Sequence, residues 1–596
     1  MRALLLFGWT LWQRLRAVLR AGDSVGASKR PAKIRPSAEE SFYADICDGG
    51  KPARAPAIIK GNGIADFLTG FFGSHLPALS NRTTLAHSRI GQTLIIALLS
   101  LQPLWATMPN QMVWEVRPGA GSDTNSGAFA TLTNNTTLCT GGTDWTQQNA
   151  AQVTFNGSTV TATTAGAGAT ITITGYSVLA TDVCNTLRIS AGTNFVTGLF
   201  QIVSVSTGSN TWTLDRNVTT GAGSGMTGTM GGALATLKQS FADVVANVAQ
   251  GNCTVWYKAG TDTVTSTVTQ PITNGLLIHG YQTTRGDNTG TRPLLTTATN
   301  GVNLVSATAS SGNSTWTWNN VSFSNTAVGA SGIGFYAPTN APARALMLIN
   351  CVLSGFTYGI LGDFNGDYVW AALTIYQTEI KNSVNDGIKN QGMAWIVGSY
   401  LHNNGATGAT TLGNGSPLPI SLTVEDSVIA SNGTDGLCSC SAIAGSSLIV
   451  KNTVLYANTH AGILISSSDT FPNVTMVNNI FDGNLTYGIR NLDAAADYYQ
   501  TGAVNRFNNA FYNNSTAATV GLPADASDIT LSADPFVSAG SNYALNSTAG
   551  GGAALKAAGF PGILPAGVGT GYLDVGALQS QCSASGGGGG ACGFVQ

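Results

Sequence analysis

The sequence predicts an all-β fold, a solenoid of short strands stacked coil upon coil. Three observations lead there: a repeat with a 26-residue step in the second half, an abundance of Val, Ile, Thr, Asn and Gly, and a scarcity of charge. Of 596 residues 43% are hydrophobic and 9% charged, and the net charge is −2. A disordered chain would couple low hydrophobicity to high net charge, and a nucleic-acid binder would carry a basic surplus, so both classes are excluded. A single core stops growing near roughly 250–300 residues, so this length calls for several domains or a repeat array.

Residues 1–107 are a different kind of sequence. They hold 13 Lys+Arg against 6 Asp+Glu, while residues 108–596 hold 14 against 23. Trp12, Arg14, Arg16 and Arg20 make a basic start, Lys29 to Pro36 a Lys/Arg/Pro stretch, and Leu94 to Trp105 an apolar run, with no shared period. Two readings compete. Translation starts at Met108, which suits a protein synthesised and kept in the cytoplasm until particle assembly. Otherwise a start near Leu85 gives a short polar head, the run Leu94 to Leu101 and a Leu104-Trp105-Ala106 end like a signal-peptide cleavage site. The run is short for a membrane span.

The repeat is legible by aligning Asp426-Ser-Val-Ile-Ala-Ser-Asn432 with Gly436-Leu, Asn452-Thr-Val-Leu-Tyr-Ala-Asn458 with Gly462-Ile, and Asn478-Asn-Ile-Phe-Asp-Gly-Asn484 with Gly488-Ile. Weaker copies begin at Asn320, Asn350, Ile380, Tyr400 and Asn508, giving about eight coils. Stacking sets like residues about 4.8 Å apart. Val352, Val428, Val454 and Ile480 then form one column and Leu353, Ile429, Leu455 and Phe481 another, of which one faces the interior. Ile360, Ile388, Leu437, Ile463 and Ile489 form a third. The preceding Gly is expected to supply a φ > 0 bend. Asn382, Asn432, Asn458, Asn484 and Asn514 fall in register as a side-chain amide ladder, a structural feature worth about 0.5–1.5 kcal/mol per bond.

With this repeat the chain resembles the right-handed parallel β-helix proteins of the pectate-lyase-like superfamily. Glu115-Val-Arg-Pro-Gly-Ala-Gly-Ser-Asp-Thr-Asn-Ser-Gly127 is similar to that family's lead-in strand, Gly232-Ala-Leu-Ala-Thr-Leu237 to the start of its capping helix, Thr254 to Thr261 to its first-rung strand, and Tyr572-Leu-Asp-Val-Gly-Ala577 to its closing motif. The expected organisation is an extension of uncertain start (1–107), a lead-in segment (108–144), an inserted antiparallel β sandwich or barrel (145–231), the right-handed parallel β-helix (232–545), and a closing segment with a Gly-rich tail (546–596). Apolar residues at 234, 237, 241, 244, 245 and 248 make the capping helix amphipathic. The insert is read as a carbohydrate-binding or partner-docking module, or as a shield for the helix end. The cysteines show no zinc spacing. Cys582 and Cys592 are spaced for a small tail disulfide in an oxidising compartment, and the others are expected as buried free thiols.

The resemblance implies a groove along one face that cuts or binds polysaccharide. The Asp-Asp, Asn-Thr-Asp, Gly-His-Gly and Arg-Ile-Lys motifs of polygalacturonase-type members are absent, which argues against pectin cleavage. Among the remaining acids, Asp386 and Asp435 each precede a bend Gly with one coil between them, so their Cα atoms are expected about 9.6 Å apart. That lies near the roughly 6.5–9.5 Å separation of inverting glycosidases. Glu379 is the third catalytic candidate. A solvated turn pair is the competing reading, because Asp beside Gly favours turns. Among the mid-chain aromatics (Trp316, Trp318, Tyr336, Tyr358, Trp370, Tyr376, Tyr400), Trp370, Tyr376 and Tyr400, with His460, are the substrate-binding candidates, although alternating strand positions suit core rings equally. Arg285-Gly286-Asp287 reads as a turn.

The function expected is engagement of surface or extracellular polysaccharide by a β-helix of tail-spike or exported type, a hydrolase more than a lyase if an enzyme. The alternative is a non-catalytic structural or adhesive spacer on a virion or cell surface. No cofactor, metal, nucleic acid or stable membrane span is expected. A homotrimer fits the spike reading, although no heptad or trimerising tail is legible.

Overall fold

The computed structural model describes residues 112–579 apart from 134–136, 248–252, 271–274, 308–314, 328, 330–331, 338–343, 363–369, 391, 414–419, 442–445, 467–472, 493–503, 524 and 561–573. Both readings of the N-terminal extension, and the Cys582/Cys592 pair, fall outside the described residues.

Each coil has three short strands, and like strands of successive coils pair in parallel to form three long sheets. Coil 1 is Thr254–Lys258, Thr261–Thr263 and Val268–Gln270; coil 10 is Val504–Phe507, Ala510–Tyr512 and Ala517–Val520. The eight coils legible in the repeat are preceded by two more, Thr254–Gln270 and Leu276–Ala307, whose corners lack the Asn and Gly marks. Met112–Val116 extends the first sheet by pairing in parallel with Thr254–Lys258, and Ala128–Ala130 folds back against it. Helix α1 (Leu237–Asn247) turns Leu237, Phe241 and Val244 inward and caps the open first coil. Val245, on the expected apolar face, is 65% exposed.

Side chains alternate along each strand, so every second residue enters the interior. The columns through Leu353, Ile429 and Phe481 of the second sheet, and through Ile360, Ile388 and Ile463 of the third, share one continuous core with the first sheet. Val428, Val454, Ile480 and Ala510 point the other way. They are nevertheless fully buried, because residues 531–560 and 574–579 lie over the second sheet and cover them with Phe536, Tyr543, Leu545, Leu555 and Val575. Both columns are thus buried from Val428 and Ile429 onward, by different partners, whereas Val352, which starts the outward column, is only partly buried and is followed on the next two coils by Glu379 and Tyr400.

Two corners set the coil shape. Between the first and second sheets, Asn320, Asn350, Asp426, Asn452, Asn478 and Asn508 hold φ between 46° and 59°, a left-handed conformation that Asn and Asp adopt at least cost after Gly. Between the second and third sheets runs the amide ladder: Nδ2 of Asn404 donates to Oδ1 of Asn432 (3.0 Å), Asn432 to Asn458 (2.9 Å), Asn458 to Asn484 (3.0 Å) and Asn484 to Asn514 (2.9 Å). Asn382 is not a rung. The pairing Lys381↔His402 puts it level with Asn403, and both have φ near 55°. Ser383 occupies the ladder position and its N–H donates to Asn404. The Gly after the ladder does not supply the bend either, since Gly387, Gly408, Gly436, Gly462 and Gly488 have no positive φ. Close stacking demands them: a Cβ on Gly436 would lie 2.6 Å from the Gly462 carbonyl oxygen and 3.0 Å from Asn458 Nδ2.

The insert is a seven-stranded antiparallel sheet, and the bridges Thr164↔Gly223 and Gly168↔Thr219 bring its edges together as a small barrel. Its own core surrounds Phe155, Ile171, Phe200 and Trp212. Arg188 pairs with Asp243 of α1, and Cys139 is joined to Cys184, so two cysteines expected as free thiols instead tie the lead-in segment to the barrel. Cys438 and Cys440 are likewise joined; Cys253 and Cys351 are the buried free thiols.

Candidate functional site

Seven candidate residues distribute over three sheets and the core. Trp370 is fully buried and packs edge-on against Trp316 at 5.4 Å, so it is not a sugar-stacking surface; its strand position faces inward like Leu373 and Ile375. Tyr376, at the outward end of the same strand, lies on the outer face of the first sheet. Glu379 and Tyr400 lie on the outer face of the second sheet. Glu379 pairs with Lys381 Nζ at 2.8 Å and His402 Nε2 at 2.9 Å, and the His402 ring stacks on Tyr400 at 3.8 Å. The hydrogen bond from His402 and the Lys381 charge outweigh partial burial and lower the Glu379 pKa to about 2. Glu379 therefore does not join the Asp pair.

Asp386, Asp435 and His460 do come together, at the start of the third sheet's outer face. The pairings Ile388↔Ala409↔Leu437 place Asp386, Thr407 and Asp435 in one column on three successive coils, so the two Asp Cα atoms are about 9.6 Å apart at two strand spacings. Neither is the solvated turn acid weighed from the sequence, for Asp386 is 8% and Asp435 5% exposed. Each accepts a backbone N–H from the next coil, Thr407 at 2.9 Å and Ala461 at 3.0 Å. Buried and held this way, both have raised pKa values, with desolvation the leading cause.

Their remaining partners differ. Asp386 feels only Lys389, which lies 5.5 Å over the Tyr358 ring. Asp435 is bonded by His460 Nδ1 at 2.7 Å, and His460 Nε2 meets Arg490 Nη1. A guanidinium can only donate, so Nε2 accepts and the ring hydrogen sits on Nδ1, directed at Asp435. Arg490 also lies 5.5 Å over Tyr487, whose ring meets His460 edge-on at 6.3 Å. Between the two acids, the Thr407 and Thr434 hydroxyls bond at 3.0 Å. Lys389, Tyr487 and Arg490 were missed in the sequence. The signal was present: Gly387-Ile-Lys389 and Gly488-Ile-Arg490 put each cation one residue after an inward Ile, hence outward. Among the described residues no group of three or more His, Cys, Asp or Glu is placed to hold a metal.

Residues 306–515 match the family described as "Right handed beta helix region". The chain has the right-handed parallel β-helix fold. Three solved structures are similar to the chain at low identity. The catalytic domain of a GH87 α-1,3-glucanase is 11% identical, with 62% of this chain and 87% of that chain covered and a TM-score of 0.29. The PL6 alginate lyase AlyGC is 13% identical, with 48% and 38% covered and a TM-score of 0.33. The A-module of the Azotobacter vinelandii mannuronan C-5 epimerase AlgE6 is 11% identical, with 48% and 93% covered and a TM-score of 0.27. Likenesses this distant carry no argument about activity. No curated protein matches the chain.

Proposed function

We propose that the protein engages a polysaccharide along the outer face of the third sheet and hydrolyses it, with Asp386 as general acid and Asp435 as general base. The observation that carries this is the asymmetry of two buried carboxylates on one column: His460, oriented by Arg490, stabilises the ionised form of Asp435, while among the described residues Asp386 has no side-chain donor. Opposed environments for paired carboxylates are how an acid and a base are set at one pH. The spacing leaves room for a water between them, which favours inversion. Tyr358 and Tyr487 flank the pair as ring surfaces for sugar faces. Such a protein works outside the cell or on a virion.

The test is a depolymerisation screen of the full chain on bacterial and plant polysaccharides, reading new reducing ends and unsaturated products in parallel. Reducing ends alone support hydrolysis; unsaturated products would reassign the chemistry to elimination. The second reading, a rigid spacer, is favoured by the bonds from both Asp side chains to the next coil's backbone, which by themselves explain two buried acids as architecture. It expects no product from any polysaccharide.

A further inference from the structure

Residues 531–560 and 574–579 form a strap over the outer face of the second sheet, and beneath it lies a carboxylate with no evident structural use. Asp482 ends the strand Ile480–Asp482, points outward, and is 3% exposed. Among the described residues its Oδ2 has no hydrogen-bond partner. The pairings Tyr456↔Asp482↔Tyr512 set a tyrosine on each neighbouring coil, and the strap brings Asp534 and Tyr543. Among the described residues no Lys, Arg or His pairs with Asp482 or Asp534, and the nearest charge to Asp482 is the like charge of Asp534. Asp534 is held in place by accepting the Phe536 N–H at 2.8 Å, at the start of the hairpin that carries Tyr543.

A buried carboxylate facing a second carboxylate, with no cation and no donor, is tolerated only when it keeps its proton. The geometry points to a proton latch: protonated Asp482 lets the strap close over the second sheet, and loss of that proton sets two anions face to face and loosens it. Burial and the Asp534 charge push the Asp482 pKa up to about 7. The direction of the pH effect follows from linkage. With the strap open, Asp482 titrates in the ordinary carboxylate range near 4. Between there and about 7 the closed state holds one more proton than the open state, so closure weakens about tenfold per pH unit as pH rises and is flat above 7. Opening uncovers the column Val428, Val454, Ile480 and Ala510, an apolar strip that is otherwise hidden. This device is independent of any chemistry on the third sheet.

Hydrogen exchange of the full chain from pH 5 to 8, corrected for intrinsic rates, reads the latch directly. The reporters are the strap amides of Leu531, bonded to Phe511 O at 3.0 Å, and Gly576, bonded to Asn478 O at 2.8 Å. Their opening constant is expected to rise about tenfold per unit up to pH 7 and then level, while amides of the coil core stay constant. In Asp482→Asn, a neutral isostere, the rise disappears and the strap stays closed at every pH. In Asp534→Asn the rise ends at a lower pH, and this variant decides the matter if Asp482→Asn does not fold. A flat wild-type profile, or the same rise in Asp482→Asn, would overturn the latch. So would recovery of protection at pH 8 on adding calcium, which would show the pair to hold a cation rather than a proton.

Discussion

Along coils 7 to 10 the second sheet turns Val428, Val454, Ile480 and Ala510 outward, and the third sheet turns Asp435, His460 and Arg490 outward. The same coils build both faces, under the same inward columns and joined by the same Asn ladder. One face is closed by the strap; on the other, polar groups satisfy one another across coils. A repeat fixes what lies inside, since like residues must stack, but it leaves the outward alternate positions free. On the second sheet that freedom carries an apolar strip, which needs a cover. On the third it carries a carboxylate–imidazole–guanidinium chain, on which the proposed site rests.

The sharpest way to break this contrast is to neutralise the open face. Asp435→Asn and Asp386→Asn each retain an oxygen that accepts the Thr407 or Ala461 N–H, so folding stability should hold while turnover on the responsive glycan falls about 10²–10⁴-fold. Arg490→Gln frees His460 from its fixed tautomer and should alter the pH profile more than the maximal rate. Equal turnover in both Asp variants, at unchanged melting temperature, would eliminate the assignment and leave the spacer reading.

Truncation measures the cover next. Ile480 is fully buried beneath Gly576, whose ideal Cβ would lie 2.6 Å from it, whereas Leu464 on the third sheet's outer face is only partly buried. Ile480→Ala should cost about 2–5 kcal/mol in denaturant unfolding and Leu464→Ala under about 1 kcal/mol. Equal costs would mean that the strap is not packed as described.

The ladder shared by both faces ranks third. Asn458 accepts from Asn432 and donates to Asn484 and to the Ile429 carbonyl. Asn458→Ala should lose roughly 1–3 kcal/mol for each buried group left unpaired, and Asn382→Ala, at a left-handed corner outside the ladder, less. An equal loss at the two positions would contradict the register.

How far the sequence reveals this molecule follows the same division. The inward columns, the ladder and the capping helix are legible because stacking repeats them or a 3.6 period marks them. Asn382 was read as a rung because it is the Asn of its corner, whereas the ladder position one residue on is filled by Ser383. The Gly column was seen but its cause was not, since a residue required for close approach looks the same in sequence as one required for a left-handed turn. Asp386 and Asp435 were legible as a column. Trp370 was not, because whether an aromatic faces in or out depends on strand parity, and the register shift between Trp370 and Ala372 breaks it. The strap lies beyond any local pattern: nothing in residues 531–560 and 574–579 names the four apolar side chains that they cover.

The smallest expected effect compares two acids on the second sheet, one under the strap and one beyond it. Glu379 has Lys381 and His402 as partners and a pKa lowered to about 2. A folded-state value below the unfolded one adds stability above the ordinary carboxylate range, and that stability is lost as pH falls from about 4 through about 2. Its side chain is 29% exposed, so solvent screening reduces the contribution to about 1 kcal/mol. Glu379→Gln should therefore lower stability modestly at pH 7 and make the wild-type and variant unfolding curves converge near pH 2. Asp482 has the opposite sign, losing stability as pH rises toward 7. If both substitutions shifted the pH profile in the same direction, the strap could not be what separates the two environments.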